Sequence, residues 1–137
     1  MSLVLDASMA VAWLFEDETN DATREVLRTV AVQGAEVPSL WHLEVANVLR
    51  NAARRGRCHE SYVDQSLGRL GRLPITVDDQ TVERAWDATL TLAREAGLTL
   101  YDAAYLELAQ RRQLPLATLD TALVAAAAQR NVAVLGG

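Results

Sequence analysis

Short apolar runs alternate along this chain with longer stretches in which apolar positions return every three or four residues. Runs of the first kind suit strands buried in a sheet, and the longer stretches suit helices laid against it. Residues 3–5, 36–37, 75–77, 116–118 and 132–135 read as strands. Helical spacing covers residues 9–15, 21–33, 40–55, 60–73, 80–96, 98–112 and 122–129. Gly34, Gly56 and Gly97 stand where helix C-caps are wanted, and Ser39, Asp79 and Thr99 where N-caps are wanted. Strands this short and apolar, separated by helices, predict an α/β fold with a parallel sheet covered on both faces.

One position breaks the pattern. Asp102 falls on the stripe of its helix that also carries Tyr105, Leu106 and Ala109, the side that meets the core. A carboxylate taken out of water needs a helix-end hydrogen bond, a basic side chain or a metal ion. In a parallel sheet, ligands bind outside the carboxyl ends of the strands, where helix N-termini also gather. Asp6 follows the first strand, Asp120 follows residues 116–118, and Asp102 opens the helix leading into that strand. Glu44 lies in the second turn of the helix entered from Val37. Four acids therefore converge on one rim.

Each also has a plainer reading. Asp6 and Asp120 sit where a capping acid is ordinary, and Thr99 with Asp102 has capping-box spacing. Trp41, Val45, Val48 and Ala52 form the apolar stripe of the Glu44 helix. Glu44, Asn47 and Asn51 lie beside it, as a solvated flank would. Taken together, however, close carboxylates repel unless a cation neutralises them. Oxygen-only ligation selects hard ions, so Mg²⁺ or Mn²⁺ is the expected partner, and hydrolysis of a phosphodiester the natural reaction.

At 137 residues the chain suits one domain, residues 1–137. The start lacks the features of a secretory signal, and no stretch approaches the length of a membrane span. Cys58 is the only cysteine, which leaves a reducing, cytoplasmic setting as the expectation and, with only His42 and His59, no zinc site. The net charge of −5 argues against a broad basic nucleic-acid surface but not against a local basic strip. All thirteen basic residues are arginine. That weakens an alternative with a similar acidic rim, the phosphoacceptor and aspartate-nucleophile phosphatase type, which needs a lysine. A second alternative is a non-catalytic α/β interaction module whose acids are all caps.

The segments "LVLDAS", "LWHLEVANVLR", "LTLYDAAYLELA" and "LATLD", in this order, resemble the PIN domain, and specifically the VapC toxins of bacterial toxin–antitoxin pairs. The resemblance covers nearly the whole chain. It implies a three-layer α/β/α domain and a Mg²⁺- or Mn²⁺-dependent ribonuclease acting on RNA such as tRNA or rRNA. It also implies a small VapB-like antitoxin as partner, and a homodimer. Carried over residue by residue, it makes Asp6, Glu44, Asp102 and Asp120 the acidic quartet, with Asp6 and Asp102 the direct metal ligands. Ser8 and Thr118 match accessory hydroxyl positions, able to hydrogen-bond a carboxylate or the scissile phosphate, and Asn47 matches the polar residue after the glutamate.

Arg50, Arg54, Arg55 and Arg57 line the end of the Glu44 helix and the turn after it. Arg54, Arg55 and Arg57 are the candidates to grip RNA phosphates beside the acidic rim. Their plainer role is to complement the helix dipole. Trp13, Leu14 and Phe15 are expected to be partly core, with an antitoxin or dimer groove as the alternative. His42 precedes Glu44 by two residues, points away from it on a helix, and is expected to pack or face solvent rather than act as a base.

Overall fold

The computed structural model describes residues 2–136. Among them, five strands form one sheet: β1 (Val4–Leu5), β2 (Ala35–Val37), β3 (Ile75–Val77), β4 (Leu116–Ala117) and β5 (Val134–Leu135). Their spatial order is β3-β2-β1-β4-β5, and every pairing is parallel. The helices are α1 (Ala7–Ala12), α2 (Asp21–Gln33), α3 (Trp41–Arg54), α4 (Glu60–Leu70), α5 (Thr81–Ala85), α6 (Ala88–Ala96), α7 (Leu100–Arg112) and α8 (Thr121–Gln129). From β1 the chain first steps outward to β2 and β3, then crosses back to β4 and β5. Right-handed crossovers on the two legs place their helices on opposite faces. This is the three-layer α/β/α architecture expected from the alternation of short strands and helices.

The centre of the sheet is the driest part of the molecule. Leu3, Val4, Leu5 and Leu116 are wholly buried, as are Leu106 and Leu108 of α7. Truncating any such leucine to alanine removes about 2–5 kcal/mol, because the surroundings close only part of the cavity. Gly34 ends α2 at φ +81° and leads directly into β2. A Cβ there would stand 2.9 Å from the Pro74 carbonyl oxygen, so both the backbone angle and the contact require glycine.

Several boundaries differ from the sequence pattern for identifiable reasons. The α1 helix stops at Ala12, and residues 13–15 turn the chain instead. Leu14 and Phe15 are buried, while Trp13 is half-buried with Nε1 donating to the Thr23 carbonyl at 2.8 Å, so this segment is partly core as expected. The helix expected over residues 80–96 is two helices separated at Trp86 and Asp87. The second buries Thr89, Leu92 and Ala93 while the first buries nothing, so no shared apolar face holds the two in line. Helix α4 ends at Leu70 rather than at residue 73.

Neither Ser39 nor Asp79 caps a helix. The caps are Leu40 and Gln80, both without a side-chain bond, and the Ser39 N–H donates instead to Thr81 Oγ1 at 3.1 Å. The acid used at this corner is Asp78, which follows β3 and is 7% exposed. Arg111 donates to both its oxygens, at 3.1 and 2.7 Å, and also to Glu107 at 2.9 and 3.1 Å. This buried triad ties the last turn of α7 to the segment leaving β3. Burial alone would raise the Asp78 carboxyl, but the Arg111 hydrogen bonds and charge outweigh it and hold the group below its ordinary value. Among the described residues, no helix is long and apolar enough to cross a membrane.

Candidate active site

Asp6, Glu44, Asp102 and Asp120 line one open cleft of about 340 Å³, so the convergence expected from strand polarity is present. The β1 strand carries Asp6 to the sheet edge and α1 begins immediately after it. One carboxylate oxygen accepts the Ala7 N–H at 2.9 Å, and the other accepts hydroxyls from Ser8 and Thr118, each at 2.7 Å. Asp6 is thus both a cap and a cleft residue, and the two readings of it do not exclude each other. Ser8 Oγ in turn accepts the Leu119 N–H at 3.0 Å, and Thr118 Oγ1 accepts the Asp120 N–H at 3.0 Å. These bonds commit both hydroxyls to orienting Asp6 and the turn after β4.

Asp120 is the N-cap of α8: one oxygen accepts the Leu123 N–H at 3.0 Å, while the side chain still borders the cleft. At the start of α7 the cap is Thr99, whose hydroxyl accepts the Asp102 N–H at 3.1 Å. The Thr99 hydroxyl also lowers the Asp102 carboxyl, and that carboxylate lines the cleft at intermediate exposure. Because α3 begins at Trp41, Glu44 lies in its first turn, one turn earlier than the sequence spacing suggested, yet takes no part in capping. Its Oε1 accepts the Tyr105 hydroxyl at 2.5 Å.

The electrostatics follow from this crowding. Burial is the largest influence on Asp6, Glu44 and Asp102 and raises all three carboxyls. Hydrogen bonds from Thr118, Ser8 and Ala7 offset part of the rise at Asp6, and the Tyr105 hydroxyl does the same at Glu44. Neighbouring negative charge adds to the rise at each, from Asp120 at Asp6, from Asp6, Asp102 and Asp120 at Glu44, and from Asp120 and Asp6 at Asp102. The Tyr105 phenol, buried and donating to Glu44, is pushed far up and stays neutral. No three His, Cys, Asp or Glu side chains among the described residues form a ready-made cage for a metal ion. The donor set nonetheless fits a hard divalent cation of the Mg²⁺ type, which is held through one or two carboxylates with water completing its shell.

Other expectations distribute unevenly. Val48 is 40% exposed and borders the cleft, and Leu49 takes the core position expected of it. Asn47 is exposed on α3 and does not line the cleft. His42 is exposed, with its ring edge-on to Trp41 at 4.8 Å. Arg54 and Arg55 are exposed at the end of α3, whereas Arg57 pairs with Asp17 and Glu18, both at 2.8 Å. Two contributors escaped the sequence. Tyr105 reads as core from its stripe, although a buried phenol one turn beyond Asp102 needs an acceptor, which is the available signal. Glu18 lines the cleft from the loop after α1, where nothing in the local pattern marks it.

The family model described as the PIN domain matches residues 3–129. A Pyrobaculum aerophilum protein named ribonuclease VapC3 is 33% identical over 90% of this chain and 92% of its own length. A Mycobacterium tuberculosis protein, also named ribonuclease VapC3, is 32% identical over 90% of this chain and 86% of its own. Among solved structures, a Pyrobaculum aerophilum protein matches with a TM-score of 0.69 at 26% identity, covering 92% of this chain and 87% of that one. FitAcB from Neisseria gonorrhoeae matches with a TM-score of 0.56 at 20% identity, covering 98% and 96%, a likeness of fold.

Proposed function

Because the chain belongs to the PIN-domain family, we propose that it is a metal-dependent endoribonuclease, the toxin of a toxin–antitoxin pair, that hydrolyses phosphodiester bonds in RNA such as tRNA or rRNA. The observation that carries this reading is the meeting of four carboxylates at one open cleft, three of them raised by burial and by neighbouring negative charge. An acidic cleft of this kind repels a phosphate unless a cation lies between them. The names of the relatives supply the substrate class.

In this reading Asp6 and Asp102 hold a Mg²⁺ or Mn²⁺ ion, which when bound lowers the pKa of a water and offsets charge on the phosphate. Ser8 and Thr118 keep Asp6 in place through their hydroxyls. Tyr105 fixes one oxygen of Glu44, and in this reading the other would accept a proton from the attacking water. Asp120 closes the acidic wall while capping α8. A small antitoxin and a homodimer belong to the same reading, in the cytoplasm.

Purified protein should degrade RNA with Mg²⁺ or Mn²⁺ and stop when EDTA is added. Undiminished cleavage in chelator would remove the metal from the mechanism. Mapping RNA 5′ ends after induction in cells should give a defined cut site and so identify the target.

Tyr105→Phe tests the role given to Glu44. Losing the hydroxyl removes a bond that lowers the Glu44 carboxyl, so this group should titrate higher. The acidic limb of the kcat/KM profile should then move to higher pH, with a stability loss of only about 1 kcal/mol. An acidic limb that stays in place would mean that Glu44 does not carry the proton.

A further inference from the structure

Among the described residues ten line the acidic cleft, and none of these is basic. A nucleic-acid strand entering it meets five carboxylates, those of Asp6, Glu18, Glu44, Asp102 and Asp120. A divalent ion leaves much of that charge unbalanced.

The cation in contact with this lining is Arg57. Its Nη1 lies 2.8 Å from Glu18 Oε2, and its Nη2 donates to the two Asp17 oxygens at 2.8 and 3.0 Å. The guanidinium also sits 3.9 Å above the ring centre of Phe15, which is itself buried. Two carboxylates and a fixed aromatic face therefore hold the fork in one place. A guanidinium has five N–H donors, and these contacts occupy at most three. Those that remain can meet a phosphate oxygen first, and exchange of Glu18 for the phosphate would complete the planar, paired geometry in which arginine binds it.

We propose that Arg57 receives a phosphate of the bound RNA strand at the mouth of the cleft, and that Glu18 is the group this phosphate displaces. This rests on the ribonuclease reading above and adds to it a positioning residue and its internal competitor. It also accounts for an acid on the cleft wall that is paired to a base instead of facing the other four. Glu18 holds the guanidinium ready outside the metal-binding acids and yields it to the strand.

The distinguishing feature is a difference of sign. Arg57→Gln should weaken binding of a fluorescent, mixed-sequence, single-stranded oligoribonucleotide in Mg²⁺ by about tenfold at low salt. The slope of log affinity against log salt should become shallower by about 0.7, the share of one phosphate contact on a single strand. Glu18→Gln should do the reverse and tighten binding about threefold, because the phosphate no longer competes with a carboxylate. The double variant should behave like Arg57→Gln. If Arg57→Gln lowers the melting temperature, Glu18→Gln carries the test, since it leaves the guanidinium on Asp17 and Phe15: tighter binding supports the proposal and weaker binding overturns it. A residue that merely clamps the loop predicts that Glu18→Gln and Arg57→Gln weaken binding together with an unchanged slope, and that outcome overturns the proposal. If the parent binds RNA and the variants move in parallel, only this inference falls. A parent that binds no RNA removes the ribonuclease reading along with it.

Discussion

Asp102→Asn should fold normally and lose RNA cleavage by about a hundredfold or more. Asparagine presents a neutral amide where a hard cation needs an anionic oxygen, and both water activation and phosphate charge stabilisation depend on that cation. The fold should not suffer, because Thr99 already caps α7 through the Asp102 N–H, which asparagine keeps. Stability provides an independent reading. The Asp102 carboxyl is raised in the folded protein, so its ionisation opposes folding progressively as pH rises above the ordinary carboxylate value. Removing that charge without metal should leave the melting temperature equal or higher. Added Mg²⁺ should stabilise the parent more than the variant, since a ligand stabilises only the state that binds it. A folded Asp102→Asn protein that cleaves RNA at the parental rate would reduce this acid to a bystander.

Arg111→Leu should lower stability by about 3–5 kcal/mol without entering the cleft at all. The substitution leaves Asp78 and Glu107, each 7% exposed, buried with no cation between them. In the parent, Asp78 is held below its ordinary value by Arg111, so it contributes stability above the unfolded carboxylate pKa, and that contribution is lost as pH falls through the folded value. In the variant, burial is opposed only by the Gln80 N–H and the Thr81 hydroxyl, the carboxyl moves up, and the stability that Asp78 contributes at neutral pH should shrink. The two unfolding curves should therefore converge on acidification and separate at neutral pH. A gap independent of pH would assign the loss to packing of the arginine stem.

Sequence pattern and structure agree on most features whose physics is local or periodic, the caps expected at Ser39 and Asp79 and the single helix expected over residues 80–96 being the exceptions. Asp6, Asp102 and Asp120 could be placed because strand polarity alone decides which end of each helix reaches the sheet edge. Thr99 was legible as a cap because its hydroxyl serves a backbone group three residues on. The failures share a different cause. Arg111 meets Asp78 across 33 positions, and nothing in either segment signals the other. Glu18 reaches the cleft from an acidic run that reads as solvated loop. Tyr105 was assigned correctly to the core, but its hydroxyl bond to Glu44 spans 61 positions. The separation of α5 from α6 carries no glycine or proline to announce it, and goes with a difference in burial, α6 burying Thr89, Leu92 and Ala93 where α5 fully buries no residue.

The central pairing of the sheet also bears on synthesis. The β1 strand pairs with β4, Val4 opposite Leu116, and Asp6 takes the Thr118 hydroxyl across 112 positions of chain. Its other neighbour, β2, provides no group that orients the acid. A nascent polypeptide can thus assemble β1, β2 and β3 with their helices while Asp6 still lacks Thr118 and the wall bearing Asp102 and Asp120. Contacts this distant also form slowly, because the intervening loop must close before they are rewarded. The cleft is therefore complete only once Thr118 and Asp120 have joined β1, and fragments that end before Thr118 should lack it however well their first half folds.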